Sequence, residues 1–561
     1  MMQLVECVPN FSEGRNKKVI DSIADAIRSV AGVNLLDVDP GFSTNRTVVT
    51  FVGAPDEVVE AAYQAIARAS QLIDMKGHKG EHPRMGATDV CPFVPVSGVS
   101  MADCVALAKK LGKRVGSELG IPIYLYGEAA QKPERRSLAA IRQGEYEALP
   151  TKMSDPSFSP DFGPAQFNAA SGATVIGARQ FLIAYNVNLN TRSKKLANEI
   201  AFNIREAGRA KRNAKGEIEK DQDGNTVKVP GTLKEVRAVG WYVDEYQRAQ
   251  VSINLTDFNV TSLHQAFDEV CRQADLLGLR VTGSEIVGLV PLEPMLEAGR
   301  HYLKKQRRST AVSEVELVEC AVQSLGLADL APFNAGEKII EYRVASSGKM
   351  LRDMSLTAFL NELASESPAP GGGSVAALAG SLSAALSAMV ANLTFEKKGF
   401  EKSQAAMERA GVCAQDLKKQ LLSIVDADMQ AFNSILEARR LPKASEEEKT
   451  ARDQALDAAN RQATLTPLSV LRHAPELLEI AALMVQEGNP NSLSDAVVAV
   501  AAALCAAEGA YFNVLINLSG FGKSQSELQF CTAVRQEADS LIGGVKEQAE
   551  TIRASALAKL T

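Results

Sequence analysis

Apolar residues change their spacing along this chain, and the change divides it in two. Up to about residue 330, short β-branched runs alternate with stretches in which apolar positions recur every three or four residues. LVECVPNF, VNLLDVD and RTVVTFVG carry the strand pattern, while NKKVIDSIADAIRSV and DEVVEAAYQAIARASQLI carry the helical one. A second pass of the same rhythm runs from TVIGARQFLIAYNVNLN through TRSKKLANEIAFNIREAG, AQVSINLTDFN and SLHQAFDEVCRQADLLG to GSEIVGLVP. The repetition predicts an α+β arrangement of two related α/β-sandwich sub-domains, over 1–180 and 181–326. Between Gly208 and Gly231 a polar stretch rich in Gly, Lys and Asp reads as an exposed, hairpin-like excursion.

Beyond Val344 the strand signals vanish. ASSGKMLRDMS reads as a polar connector, and a linker is expected over 327–350. Helical runs beginning at Ser355, Val375, Glu401, Glu446, Ala474, Asp495 and Ser526, punctuated by Pro and Gly, predict an all-α helical bundle over 351–561.

Composition narrows the function classes. Lys and Arg (61) nearly balance Asp and Glu (67), so the net charge of −6 offers no footprint for a nucleic acid. The eight cysteines are scattered without zinc or redox spacing and read as reduced thiols. MMQLVECVPNFSEGR lacks a basic region followed by a long apolar run, and a cytoplasmic location is expected. Ser367 to Phe395 carries no charge and is long enough to cross a bilayer. Ala, Gly and Ser dominate it and no Lys/Arg cluster precedes it, so a helix buried in a soluble bundle is expected, with no membrane span.

The densest chemistry in the first half is HKGEHPRMGATDVCPFVPV, which gathers His78, Glu81, His82, Arg84 and Asp89. A neutral imidazole suits proton transfer near pH 7, and a carboxylate can orient it. A solvated loop and an HxxxH zinc pair are the competing readings, the second weakened by Gly77, Gly80 and Pro83, which disfavour a helix through the pair. A second cluster, DVDPGFSTNRTVVTF, places Asp37, Asp39, Ser43, Asn45 and Arg46 in a turn between strands, where Asn10 can join them.

In the second half SPAPGGGSVAALAG sets Gly371, Gly372, Gly373 and Ser374 before a long helix, so unpaired amides there can face a ligand. A helix-capping loop explains the same glycines. SIVDADMQAFNSILEARRLPK carries Asp428 at helical spacing from Ala431 and Phe432, hence pointing inward, while Asp426 fits an exposed face. GNPNSLSDAVVAV adds Gly488, Asn489, Asn491, Ser494 and Asp495, the last two explicable as helix caps.

ECVPNFSEGR, DVDPGFSTNRTVVTFVG, HKGEHPRMGATDVCPF, YLYGEAA and GEYEALP closely resemble the glutamate formimidoyltransferase family. APGGGSVAA, VDADMQAFNSILEARRLPK, GNPNSLSDAVVA and GAYFNVLINL resemble formimidoyltetrahydrofolate cyclodeaminase, in the order of the fused bifunctional enzymes. The first resemblance implies transfer of a formimidoyl group from N-formimidoyl-L-glutamate to N5 of tetrahydrofolate, with His82 as the catalytic residue. Asp39 is the candidate, by residue type, to orient or polarise it. It also implies a folate-contacting stretch of Gly163, Pro164, Ala165, Gln166, Phe167, Asn168, Ala169, Ala170, Ser171 and Gly172, whose small residues would admit a flat ligand. The second implies cyclisation with loss of ammonia, assisted by Asp428, with Gly371 to Ser374 as a further folate contact. No metal or redox cofactor is implied, and polyglutamylated folate and a homo-oligomer, commonly an octamer, are. Two alternatives stay open: a folate enzyme transferring formyl groups, and a non-catalytic folate-binding scaffold.

Overall fold

The computed structural model describes residues 3–42, 44–80, 82–213, 215–345, 350–522 and 524–560. It divides into two compact units, Met1–Pro291 and Leu292–Thr561.

The first unit opens with β1 (Leu4–Cys7), β2 (Asn10–Phe11), α1 (Lys17–Arg28), β3 (Asn34–Gly41), β4 (Arg46–Gly53), α2 (Pro55–Leu72) and β5 (Thr88–Ser97). β1 and β2 are successive pieces of one strand, and both pair antiparallel with β4 and β5. Pro9 lies between them and has no amide to continue the ladder. The order β3–β4–β1/β2–β5 is a split βαββαβ arrangement. α3 (Met101–Glu118), β6 (Ile123–Gly127), α4 (Leu138–Arg142), α5 (Glu145–Lys152) and β7 (Thr174–Ala178) extend it, β7 lying parallel to both β5 and β6. Val5, Cys7, Phe51, Cys91 and Phe93 form the apolar core with buried residues of α1, α2 and α3. Glu6, one residue out of that alternation, belongs to the opposite face.

The second sub-domain repeats the scheme with β8 (Ile183–Leu189), α6 (Lys194–Ile204), β11 (Val236–Val243), β12 (Arg248–Leu255), α7 (Leu263–Leu276) and β13 (Val281–Val287), in the spatial order β11–β12–β8–β13. The excursion after Gly208 is a hairpin built on β9 (Arg209–Ala210) and β10 (Lys228–Val229). The same connectivity and strand order thus occur twice, as the repeated sequence rhythm predicts.

The second unit begins earlier than the change in sequence pattern. α8 (Leu292–Lys305) and α9 (Glu314–Ser324) pack together, with the backbone of Leu317 so near Gly299 that a Cβ there would lie 2.1 Å from Leu317 O. The turn between them is tied to the bundle: Asn392 Nδ2 and Gln415 Nε2 both donate to Ala311 O, at 2.7 and 3.0 Å. The expected linker contains α10 (Ala335–Lys338) and α11 (Ile340–Ala345).

α12 (Leu356–Leu363), α13 (Gly372–Phe395), α14 (Gln404–Arg440), α15 (Glu446–Glu487), α16 (Leu493–Leu518) and α17 (Gln525–Leu560) complete the bundle. The sequence pattern separates runs at Glu446 and Ala474, yet α15 is continuous through Pro467 and Pro475. Pro467 cannot donate to the carbonyl four residues earlier, that of Ala463, and Asn517 Nδ2 does so instead at 2.7 Å. α13 and α16 are each long and apolar enough to cross a membrane by length and composition. α13 buries Ala376, Ala377, Gly380, Ala384, Ala388 and Ala391, small residues that let neighbouring helices approach closely.

Two candidate proton-transfer sites

His82 follows α2 on the segment that leads into β5. Arg46, the first residue of β4, donates from Nη1 to His82 Nε2 at 2.7 Å. A guanidinium is never an acceptor, so this contact gives a neutral ring its proton on Nδ1. Nδ1 is buried; the Pro83 backbone lies close enough to favour the charged ring, but among the described residues no well-formed hydrogen bond reaches it. Burial, then the charges of Arg46 and Arg142, hold the His82 pKa below the ordinary histidine value. The neutral ring required of a general base is therefore maintained.

His78 is spent on structure. Its Nε2 donates to Asn45 O at 3.0 Å and its Nδ1 accepts from Arg84 Nε at 3.2 Å. Both nitrogens being engaged, a zinc pair with His82 is not available. Arg84 also grips Glu145 and Glu147 at 2.8 and 2.6 Å. Asn45 accepts from Gly14 N and donates to Lys79 O, both at 3.0 Å, which fixes the loop below the histidines. Buried Asp89 accepts from Met85 N at 2.9 Å and pairs with Arg142. Burial raises its pKa against the pull of that arginine.

Asp39 does not meet the expectation placed on it. It is exposed on β3, opposite Val48, and among the described residues it makes no hydrogen bond to His82. Its charge acts on Arg46, as does that of Asp89, so any influence on the ring passes through the arginine. Register explains this: the contact to the ring comes from β4, one strand further in. Asn10 is turned to its own backbone, donating to Val8 O at 3.1 Å, and Asp37 is exposed. Ser43 and Glu81 lie outside the described residues.

The stretch 163–172 is brought to the His82 segment. Gly172 N donates to Asn168 O, Ala87 N to Ser171 O and Ala173 N to Met85 O, at 2.7, 2.9 and 3.0 Å. Tyr146 donates its hydroxyl to Ala169 O at 2.6 Å and packs its ring 5.5 Å from that of Phe167. Gly163, Pro164, Ala165 and Gln166 are exposed. The glycines themselves serve backbone packing. Gly163 has φ +81°, and a Cβ there would lie 2.5 Å from Ile121 O. Gly172 has φ +67°, and a Cβ there would lie 2.3 Å from Met85 O. Close approach of the chain to itself, rather than to a ligand, is what these two positions require.

In the second unit Asp428 on α14 reaches the first turn of α13. Ser374 Oγ donates to Asp428 Oδ2 at 2.9 Å and lies 3.2 Å from Val425 O. The carboxyl occupies the space a side chain at 373 would need: a Cβ on Gly373 would lie 2.2 Å from Asp428 Oδ1. Burial raises the Asp428 pKa, opposed by its bonds to the Ser374 side chain and backbone, so the group is suited to carry a proton. Gly373→Ala should push the carboxyl aside rather than unfold the helix, because the obstructing atoms are a side-chain tip. We expect Asp428-dependent activity to fall at least tenfold, with a stability loss of about 1–3 kcal/mol, checked by assay and thermal melt.

Asp426, expected on an exposed face, is 3% exposed. It accepts from Leu351 N at 2.6 Å and approaches Arg352 at 3.6 Å, pinning the chain entering the bundle. Asn489 accepts from Lys397 Nζ at 2.6 Å, and its own amide donates to Thr394 Oγ1 at 2.9 Å. Ser494 and Asp495 lie in the first turn of α16, whose N-cap is Ser492. Arg142 escaped sequence reasoning because no local spacing links it to Asp89, 53 positions earlier.

A histidine held neutral on one compact unit and a half-buried aspartate on the other are the candidate proton-transfer groups, the kind of pair an enzyme with two sites would carry. Three family models match in succession: the formiminotransferase domain, N-terminal subdomain (residues 4–179), the formiminotransferase domain (184–345) and formiminotransferase-cyclodeaminase (355–540). The formimidoyltransferase-cyclodeaminase of Rattus norvegicus is 48% identical over 557 residues, 99% of each chain. The glutamate formimidoyltransferase of Thermoplasma acidophilum is 45% identical over 54% of this chain and 93% of its own. The methenyltetrahydrofolate cyclohydrolase of Methylorubrum extorquens is 36% identical over 30% of this chain and 82% of its own. The chain belongs to the formimidoyltransferase-cyclodeaminase family.

Proposed function

We propose that the two units perform successive steps on one carbon. The first transfers the formimidoyl group of N-formimidoyl-L-glutamate to N5 of tetrahydrofolate. The second closes the ring from N10 and expels ammonia, leaving 5,10-methenyltetrahydrofolate. Full-length similarity to formimidoyltransferase-cyclodeaminases carries this reading, since it spans both sites in one chain.

In the first step N5 attacks the amidine carbon, the bond to the glutamate nitrogen breaks, N5 loses a proton and the glutamate amine gains one. His82, neutral at the start, takes the first proton and returns it to the leaving amine. Arg46 holds the ring in the free enzyme. A carboxylate of the substrate that draws this guanidinium to itself frees the Nε2 lone pair for N5. In the second step N10 attacks the same carbon and its proton passes to the imino nitrogen, and Asp428 delivers the further proton with which that nitrogen departs as ammonia as the carbon–nitrogen bond breaks.

The lowered His82 pKa fixes a sign for pH dependence. The base works unprotonated, so kcat/KM for transfer should hold as pH falls and decline only below 6.5, the ordinary histidine value. Arg46→Leu removes a neighbouring positive charge and should move that acid limb to higher pH, read from the pH–rate profile. Incubation with N-formimidoyl-L-glutamate and tetrahydrofolate should release glutamate and ammonia in equal amounts, whereas N-formylglutamate should yield no ammonia. Glutamate release without ammonia from the first substrate would remove the second step from the reading.

We extend the proposal to polyglutamylated folate as the carried form and to a homo-oligomer of the octameric kind. Leu382, Met389 and Leu393 on α13, and Val498, Phe512 and Ile516 on α16, are exposed apolar residues of the sort that copies cover in an assembly. All eight cysteines are free, the state maintained in a reducing cytoplasm.

A further inference from the structure

Next to Gly373, Gly372 faces a polar group to which neither step above assigns a role. A Cβ on Gly372 would lie 3.2 Å from Nδ2 and 3.8 Å from Oδ1 of Asn513. Asn513 sits on α16, and its Nδ2 donates to Gly509 O at 2.8 Å. Only the amide nitrogen can donate to a carbonyl, so this bond fixes the flip of the side chain and leaves Oδ1 as an acceptor. Among the described residues Oδ1 receives no hydrogen bond. Two consecutive glycines at the start of α13 therefore have two polar groups beside them, the proton-carrying Asp428 carboxyl at 373 and the Asn513 amide, with its open acceptor, at 372.

An acceptor beside a proton donor suits a group that presents an N–H and takes up a proton. The formimidoyl carbon bears nitrogen, which presents N–H; a formyl carbon bears oxygen, which accepts and presents none. We infer that Asn513 is a specificity residue of the deamination step, its Oδ1 accepting an N–H of the nitrogen that leaves as ammonia. The inference rests on the deamination reading above. Asn513 holds that nitrogen while Asp428 supplies its proton, and a formyl oxygen in the same place would face an acceptor without a partner.

The test supplies 5-formimidoyltetrahydrofolate to the full chain and measures kcat/KM for ammonia release, with 5-formyltetrahydrofolate as a competitive inhibitor. Asn513→Leu, close in size and apolar, should lower kcat/KM about 30-fold and leave the Ki of the formyl compound within about threefold, since it gains nothing from Oδ1. Asn513→Asp retains an acceptor and should keep at least about a tenth of the wild-type value. Formimidoyl transfer by the first unit should be unchanged in both, which reports that the chain is folded. A loss under tenfold in Asn513→Leu, a parallel rise in Ki, or an equal loss in Asn513→Asp overturns the inference. Failure of the wild type to release ammonia would instead overturn the deamination reading itself.

Discussion

Replacing His82 with alanine is expected to reduce glutamate release from N-formimidoyl-L-glutamate by about 10²- to 10⁴-fold, the range over which a positioned acid–base group acts. Deamination of supplied 5-formimidoyltetrahydrofolate should continue at the wild-type rate. The separation follows from the structure of each unit. His82 contacts Arg46, while the loop is held by His78, Asn45 and Arg84, so truncating the ring leaves the scaffold in place. The imidazole also stands where burial and two arginines keep it neutral, and alanine has no replacement for a proton carrier there. Equal release of glutamate by the variant and the wild type would show that another group moves the proton.

The second large effect is at Asp428. Asp428→Asn keeps the shape of the side chain and an oxygen for Ser374, but it cannot deliver a proton. It should transfer normally and then stall, accumulating 5-formimidoyltetrahydrofolate with ammonia release down by about 10²-fold or more. Asp428→Ala should stall as well and should leave a void against Gly373, where the carboxyl now fills the space of the missing side chain. A melting temperature that falls with alanine but not with asparagine, while both variants stall, would separate the proton from the packing. Undiminished ammonia release by Asp428→Asn would refute the role.

Local pattern carried the architecture a long way. Two-residue alternation in LVECVP and YNVNLN marks strands whichever way the sheet is assembled, and their repetition after residue 180 foreshadows the second βαββαβ unit. Contacts between residues distant in the chain account for what the pattern missed. α15 runs through Pro467 because Asn517, from another helix, takes the carbonyl that proline leaves unpaired. Asp426 is buried because the chain returns at Leu351 to donate to it. The helical periodicity of α8 and α9 resembles that of the α/β half, and it is long-range bonds, such as those from Asn392 and Gln415 to Ala311 and from Thr310 to Glu408, that tie that stretch to the bundle. In the candidate sites His82 and Asp428 are singled out by residue type and resemblance, and remain the groups the predictions above test. That Arg46 rather than Asp39 meets the ring depends on strand register, which no local spacing encodes.

The central claim is that one carbon is handled by two sites in turn, one needing His82 and the other Asp428. Mixing His82→Ala with Asp428→Ala, given N-formimidoyl-L-glutamate and tetrahydrofolate, tests it most directly. One variant makes 5-formimidoyltetrahydrofolate and the other consumes it, so the mixture should release ammonia and form 5,10-methenyltetrahydrofolate while neither variant alone does so. Ammonia release by the mixture no greater than the sum of the two variants measured separately would contradict the account.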